Sequence, residues 1–241
     1  MISRFDLYDF IANLILGLAF LWCLQVLAGQ MDWNLPLEFD GGLAETSILV
    51  ALGYITGLLL QGLSQGFVEK HILKPLWKGF PSERWLLPED KHFSDEYKER
   101  LLCLIADRFK VAVKPNLSPD LAPDYARELR LKKNRELFYL CYHDVGQDHL
   151  RLLTLNAQYG LFRGLLTMFS MLTLFSLVGL LWALLARQDQ VASFGIWSVL
   201  SATLAVIAYA RCKKRGEDFA QSVFYLFMVK ASNSPSTDEQ M

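Results

Sequence analysis

The chain has 241 residues, of which 53% are hydrophobic and 20% charged, with a formal net charge of -1 and a mean hydropathy of +0.23. That balance is too charged for a bare membrane bundle and too apolar for an ordinary soluble domain, as expected for one of each in a single chain. The four cysteines, Cys23, Cys103, Cys141 and Cys212, are scattered with no CxxC pair, so no disulfide framework is implied.

Four apolar stretches follow one another along the chain, at 11–28, 43–67, 159–186 and 194–210. About 20 mainly apolar residues suffice for a helix to cross a hydrocarbon core. The first three stretches meet or approach that length, and the fourth is short but free of charge. Asp6 and Asp9 outweigh Arg4 ahead of the first stretch, where a secretory signal would be net positive, so an uncleaved first helix is expected.

The loops set the orientation. No Lys or Arg occurs between Asp6 and Glu69, and the first connection carries Asp32, Glu38, Asp40 and Glu45. The connection after the third stretch holds one basic residue, Arg187. Basic residues concentrate instead in the long second connection and after the fourth stretch, so both termini and the middle segment are expected inside. Trp33, Trp182 and Trp197 then fall near the outer interface. Lys70, Lys74, Lys78, Arg163, Arg211, Lys213, Lys214 and Arg215 are expected to meet the inner leaflet, each worth about 1 kcal/mol against anionic lipid. Fixing the topology is the cheaper account of them, and membrane lipid is the expected partner.

The expected organisation is therefore an all-α membrane protein. A first transmembrane hairpin covers 1–68, a helical cytosolic domain 69–158, and a second hairpin 159–210. A cytosolic amphipathic helix follows at 211–230, with a disordered tail at 231–241. Within the middle domain, Ser94 is an expected N-cap with Asp95 and Glu96 in the first turn. Tyr97, Leu101, Leu104, Ile105, Phe109 and Ala112 recur at helical spacing, with Pro115 as the stop. A charged helix is expected over 123–142. Its Arg127–Arg135 run could contact phosphates, but a solvated helix face accounts for it more cheaply, so nucleic acid is not an expected partner. Leu150, Leu153, Ala157, Leu161 and Leu165 run without a proline into the third stretch, predicting one long helix. Phe219, Val223, Leu226 and Phe227 give the last helix an apolar face.

The second stretch carries the most informative pattern. Gly53 and Gly57 form one GxxxG, and Gly62 and Gly66 another. Small residues four apart let a second backbone approach, within one subunit or between copies in a homo-oligomer. Gln61, Ser64 and Gln65 lie at the inner end and are candidates to line a hydrated path. Asn13 and Gln25 are the polar groups at depth in the first stretch. No stretch holds an ionisable residue at its centre, unlike a proton-coupled transporter.

Signs of catalysis are poor. The chain lacks a Walker-type loop, a GxSxG and Cys/His pairs at zinc spacing. His143-Asp144 beside Asp148-His149 offers nitrogen and oxygen ligands, but a polar turn explains them with fewer assumptions. No catalytic, cofactor or metal residue is assigned, and an enzyme is not expected.

The opening Phe5-Asp-Leu-Tyr-Asp-Phe10-Ile-Ala-Asn-Leu-Ile-Leu-Gly17 resembles the start of a loose group of uncharacterised bacterial four-span inner-membrane proteins. There an aromatic-Asp-Phe triplet leads into a span bearing a Pro-Gly pair, with Leu16 standing here in place of the proline. Asn156-Ala-Gln-Tyr159-Gly-Leu-Phe162-Arg163 is similar to the Arg-bearing entry of their third span. Several members are thought to act as membrane effectors in anti-phage defence. The resemblance implies a bacterial inner-membrane location and an effector role, and carries no catalytic positions. The expected function is thus an oligomer whose cytosolic domain senses a small signalling ligand or a protein partner and perturbs membrane permeability. The alternative is a non-conducting anchor or scaffold for a cytosolic partner.

Overall fold

The computed structural model describes residues 4–31, 42–113, 122–146, 149–186 and 189–233, with side chains from Phe10 onward. Trp33, Pro115, Asp148 and Arg187 lie outside the described residues, as does most of the tail. The described residues form helices and no strand: α1 (Arg4–Gly29), α2 (Leu43–Leu63), a π-helical segment (Ser64–Leu73), α3 (Lys74–Leu76), α4 (Pro81–Arg84), α5 (Asp95–Phe109), α6 (Pro123–Val145), α7 (Leu150–Ala186) and α8 (Val191–Asn233). Four of these helical runs are long and apolar enough to cross a membrane. The chain divides into two compact units, one of 1–72 with 157–213 and the other of 73–156 with 214–241.

In the first unit, α1 and α2 meet backbone to backbone. A Cβ on Gly17 would overlap the carbonyl of Gly53, and one on Gly57 would overlap the carbonyl of Asn13. Three glycines thus bring the helix axes together where any side chain would hold them apart. Leu16, Phe20, Leu60, Met168 and Leu172 close the apolar core around this crossing. The parts of α7 and α8 in this unit are joined differently. Thr173 Oγ1 lies 3.0 Å from Ser201 Oγ, and Ser176 Oγ 3.0 Å from Ser198 Oγ. Each hydroxyl also reaches a carbonyl of its own helix. Such pairs contribute little individually but are satisfied without water. Gly179 accommodates the ring of Phe194. Outward faces of these helices are apolar, with Ile55, Leu59, Val178, Ile196 and Val206 exposed.

The second unit is built around α5, α6, the first turns of α7 and the end of α8. Ser94 Oγ accepts from the Tyr97 backbone N–H at 3.2 Å and caps α5. That helix stops at Phe109, not at Pro115, because Lys110 turns the chain in the left-handed region with φ 52. Pro123 opens α6 at a first-turn position that lacks an intrahelical donor anyway. Leu101, Ile105, Leu137, Cys141, Phe224 and Phe227 are buried together. The apolar face of the last helix therefore packs on protein. Burial of the Cys141 thiol, reinforced by the charge of Asp144, raises its pKa well above the usual thiol range. Burial likewise raises that of the Tyr97 phenol.

Two carboxylates tie this unit's helices through three ion pairs. Asp144 of α6 meets Arg108 of α5 at 3.3 Å and Lys230 of α8 at 3.4 Å. Glu83 of α4 is buried and accepts from Arg135 Nε at 2.6 Å, while Asn134 Nδ2 donates to the Glu83 carbonyl at 2.8 Å. The charged face of α6 is therefore partly engaged: Arg127 also donates to the Lys78 carbonyl at 3.0 Å.

One expectation is corrected and another is refined. The amphipathic helix expected at 211–230 is present as the continuation of the fourth apolar stretch, because α8 runs unbroken from Val191 to Asn233. Nothing between Arg211 and Asp218 breaks a helix except the tolerable Gly216, and Arg215 pairs with Asp218 at 3.1 Å, one turn on. The first three residues of the expected disordered tail, 231–233, belong to that same helix.

Candidate functional site

The most unusual feature of the first unit is a change in helical winding. After Leu63 the chain passes from α-helix to ten residues of π-helix, Ser64–Leu73. The wider i→i+5 turn is rare, appears mostly as a single-turn bulge, and is frequent at functional sites. It buries Ser64 and carries Glu69 to Arg163 of α7, 94 positions further along the chain.

Gln61 stands one turn before the change. Its Nε2 donates to the Gly160 carbonyl of α7 at 3.2 Å. Gly164, the next turn of α7, makes room for this amide: a Cβ there would sit 2.9 Å from Gln61 Nε2 and 2.8 Å from a Leu16 methyl. Ser64 is fully buried, and its hydroxyl finds no hydrogen-bond partner among the described residues. Glu69 forms an ion pair with Arg163 of α7, the two side chains being 27% and 10% exposed. The Arg163 guanidinium also lies 5.3 Å from the centre of the Tyr159 ring, while its Nε is buried without a partner. Thr167, one turn further along α7, returns its hydroxyl to the Arg163 carbonyl at 3.1 Å. Cys212 of α8 is fully buried and within electrostatic range of both members of the ion pair.

This cluster brings together some of the residues singled out in the sequence and separates others. Gln61 and Ser64 belong to it, whereas Gln65 is exposed. Arg163, expected at the inner leaflet, is instead buried against Glu69. Its position on the packed face of a long helix leaves its side chain only 10% exposed, and a carboxylate supplies the countercharge. Lys70, Lys78, Arg211, Lys213 and Lys214 are exposed, Lys74 is half-buried, and Arg215 is paired with Asp218. The two GxxxG motifs also part company. Gly53 and Gly57 are buried against α1, while Gly62 and Gly66 have nothing within 4 Å. Glu69, Tyr159, Thr167 and Gly17 were not legible as site residues, because each looks unexceptional until its distant partner is known.

A buried ion pair inside predominantly apolar helices is expensive to desolvate and survives only with good geometry. The surrounding hydroxyls and the amide keep the path between α2 and α7 polar without adding charge. The arrangement can hold two helices in register. It offers no nucleophile with an adjacent base. Among the described residues, no group of three or more His, Cys, Asp or Glu is placed to hold a metal. Comparison of the chain with protein-family models, with curated proteins and with solved structures finds no match.

Proposed function

We propose that this protein is a multi-pass bacterial inner-membrane protein whose regulated packing changes membrane permeability. The observation that carries the reading is the Glu69–Arg163 pair, set where α-helix gives way to π-helix and bordered by Gln61 and the unpartnered Ser64. In this reading the pair is the latch, and Gln61, Ser64 and Gln65 meet water once it opens. A buried charged pair at the inner end of two apolar helices is a candidate switch. Both termini and the second unit lie on the cytoplasmic side, the side that the loop charges favour. The second unit senses a small ligand or a protein partner. Subunits associate through the unpartnered Gly62 and Gly66 face of α2.

The trigger need not be known to test this. In proteoliposomes loaded with a potential-sensitive dye, Glu69→Gln should raise basal ion leakage above that of the wild type. A folded Glu69→Gln protein as tight as empty vesicles would overturn the latch. The second reading, a non-conducting anchor for a cytosolic protein, draws on Tyr125 and Tyr139. Both are exposed on nearly the same face of α6, where rigid aromatic rings suit a protein partner.

A further inference from the structure

We infer that the second unit binds a small phosphate ester in the groove between the start of α7 and the end of α8. The groove has a volume of about 410 Å³ and is lined by Arg151 and Leu155 of α7 and by Arg215, Gln221 and Tyr225 among the α8 residues. That volume falls in the usual range for small-molecule sites, about 300–1,000 Å³. The proposal deepens the sensing role given above and names its ligand class.

The lining is unequal in charge. Arg151 and Arg215 face one carboxylate, Asp218, and Asp218 is already taken up by Arg215 at 3.1 Å. No ion pair or hydrogen bond engages Arg151 among the described residues. One cation is thus left without a countercharge in a concave site. A guanidinium fork is the side chain best matched to a phosphate, which it can hold with two parallel hydrogen bonds. Arg151 also stands in the first turn of α7, the end of the helix dipole that favours an anion.

The remaining lining suits an organic body over a bare ion. Tyr225 is 46% exposed and presents a ring. Leu155, Leu226 and Val229 supply an apolar wall. Gln221 and Ser222 add an amide and a hydroxyl that can read a polar edge. A nucleoside monophosphate fits this chemistry, and so does the headgroup of an acidic phospholipid; the phosphate ester is the shared element.

The test uses the full chain in nanodiscs of phosphatidylcholine, titrated calorimetrically with AMP, adenosine or inorganic phosphate. AMP should bind, adenosine and inorganic phosphate should bind at least tenfold more weakly, and Arg151→Gln should weaken AMP by about tenfold or more. A parallel set of discs containing phosphatidic acid separates the two sources. Apparent AMP affinity that falls at least tenfold there, as expected for a headgroup competing for the same groove, assigns the site to lipid and keeps the phosphate chemistry, whereas equal AMP affinity in the two discs assigns it to the soluble ester. Absence of AMP binding in phosphatidylcholine together with indifference to phosphatidic acid overturns the proposal. AMP binding untouched by Arg151→Gln and Arg215→Gln overturns it as well. Because no conductance is measured, failure here leaves the permeability reading standing, and an electrically silent protein that still binds AMP sinks only that reading.

Discussion

The Glu69–Arg163 pair permits a quantitative prediction through a double-mutant cycle. Removing one member of a buried pair typically costs about 3–5 kcal/mol, because the other charge is stranded. The two sites differ in exposure, 27% for Glu69 against 10% for Arg163. Stranding Glu69 by Arg163→Leu leaves a carboxylate that water can partly reach, so the cost is discounted to about 2–3 kcal/mol. Stranding Arg163 by Glu69→Leu leaves the more buried charge, and the cost stays near about 3–4 kcal/mol. The ring of Tyr159 offsets a small part of it, about 0.5–1 kcal/mol. Replacing both residues removes the stranded charge altogether, so the double variant should be more stable than Glu69→Leu alone. Thermal unfolding in detergent reads the cycle, at roughly 2–4 °C per kcal/mol for a chain of this size. Single losses that add to within about 0.5 kcal/mol in the double variant would mean that the two charges do not act on each other, and would refute the reasoning.

Four further predictions concern other parts of the chain. Gly53→Leu with Gly57→Leu should destabilise the monomer, since a Cβ at Gly57 already meets the Asn13 backbone and overpacking costs at least about 1–3 kcal/mol. Gly62→Leu with Gly66→Leu should leave monomer stability unchanged while dissociating the oligomer on size-exclusion chromatography with light scattering. The second unit should lose stability as pH rises. Cys141 and Tyr97 have folded pKa values raised by burial, so their contribution is full below the unfolded values and is lost above them, from about 8.5 for the thiol. Cys141→Ala should flatten the first part of that alkaline slope in a urea titration across pH. Single cysteines introduced at Gly41, Ser118 and Ser236 into a cysteine-free background should be labelled from the periplasm at Gly41 alone, and labelling at Ser118 would reverse the orientation.

Much of the helical framework was legible because its signals are local. The Ser94 cap, the Pro123 start of α6 and the proline-free run through α7 each depend on residues within a few positions of one another. The small faces at Gly53 and Gly57 were legible too, but their partner was not. Gly17 is unremarkable until α1 is laid on α2, and periodicity identifies a face without naming what covers it. The same limit hid the polar cluster. Glu69 and Arg163 lie 94 residues apart, and each alone looks like a charge at the end of an apolar run. The π-helical turn that brings Ser64 and Glu69 inward has no composition of its own. The Thr173–Ser201 and Ser176–Ser198 pairs were missed because scattered hydroxyls in apolar helices also satisfy themselves on their own backbone. The apolar face at Phe219, Val223, Leu226 and Phe227 was legible from its helical spacing, and the Arg, Lys and Glu residues ahead of it continue a helix readily, so α8 carries it without a break.

The most direct test of the account is the membrane potential of cells expressing three forms of the chain at matched abundance. Glu69→Gln, which opens the latch, should depolarise the cells relative to wild type. Adding Gln61→Leu and Gln65→Leu to it should restore the potential, since the path that water enters has become apolar. A Glu69→Gln protein that is folded, abundant and electrically silent would contradict the account and leave a membrane anchor in its place.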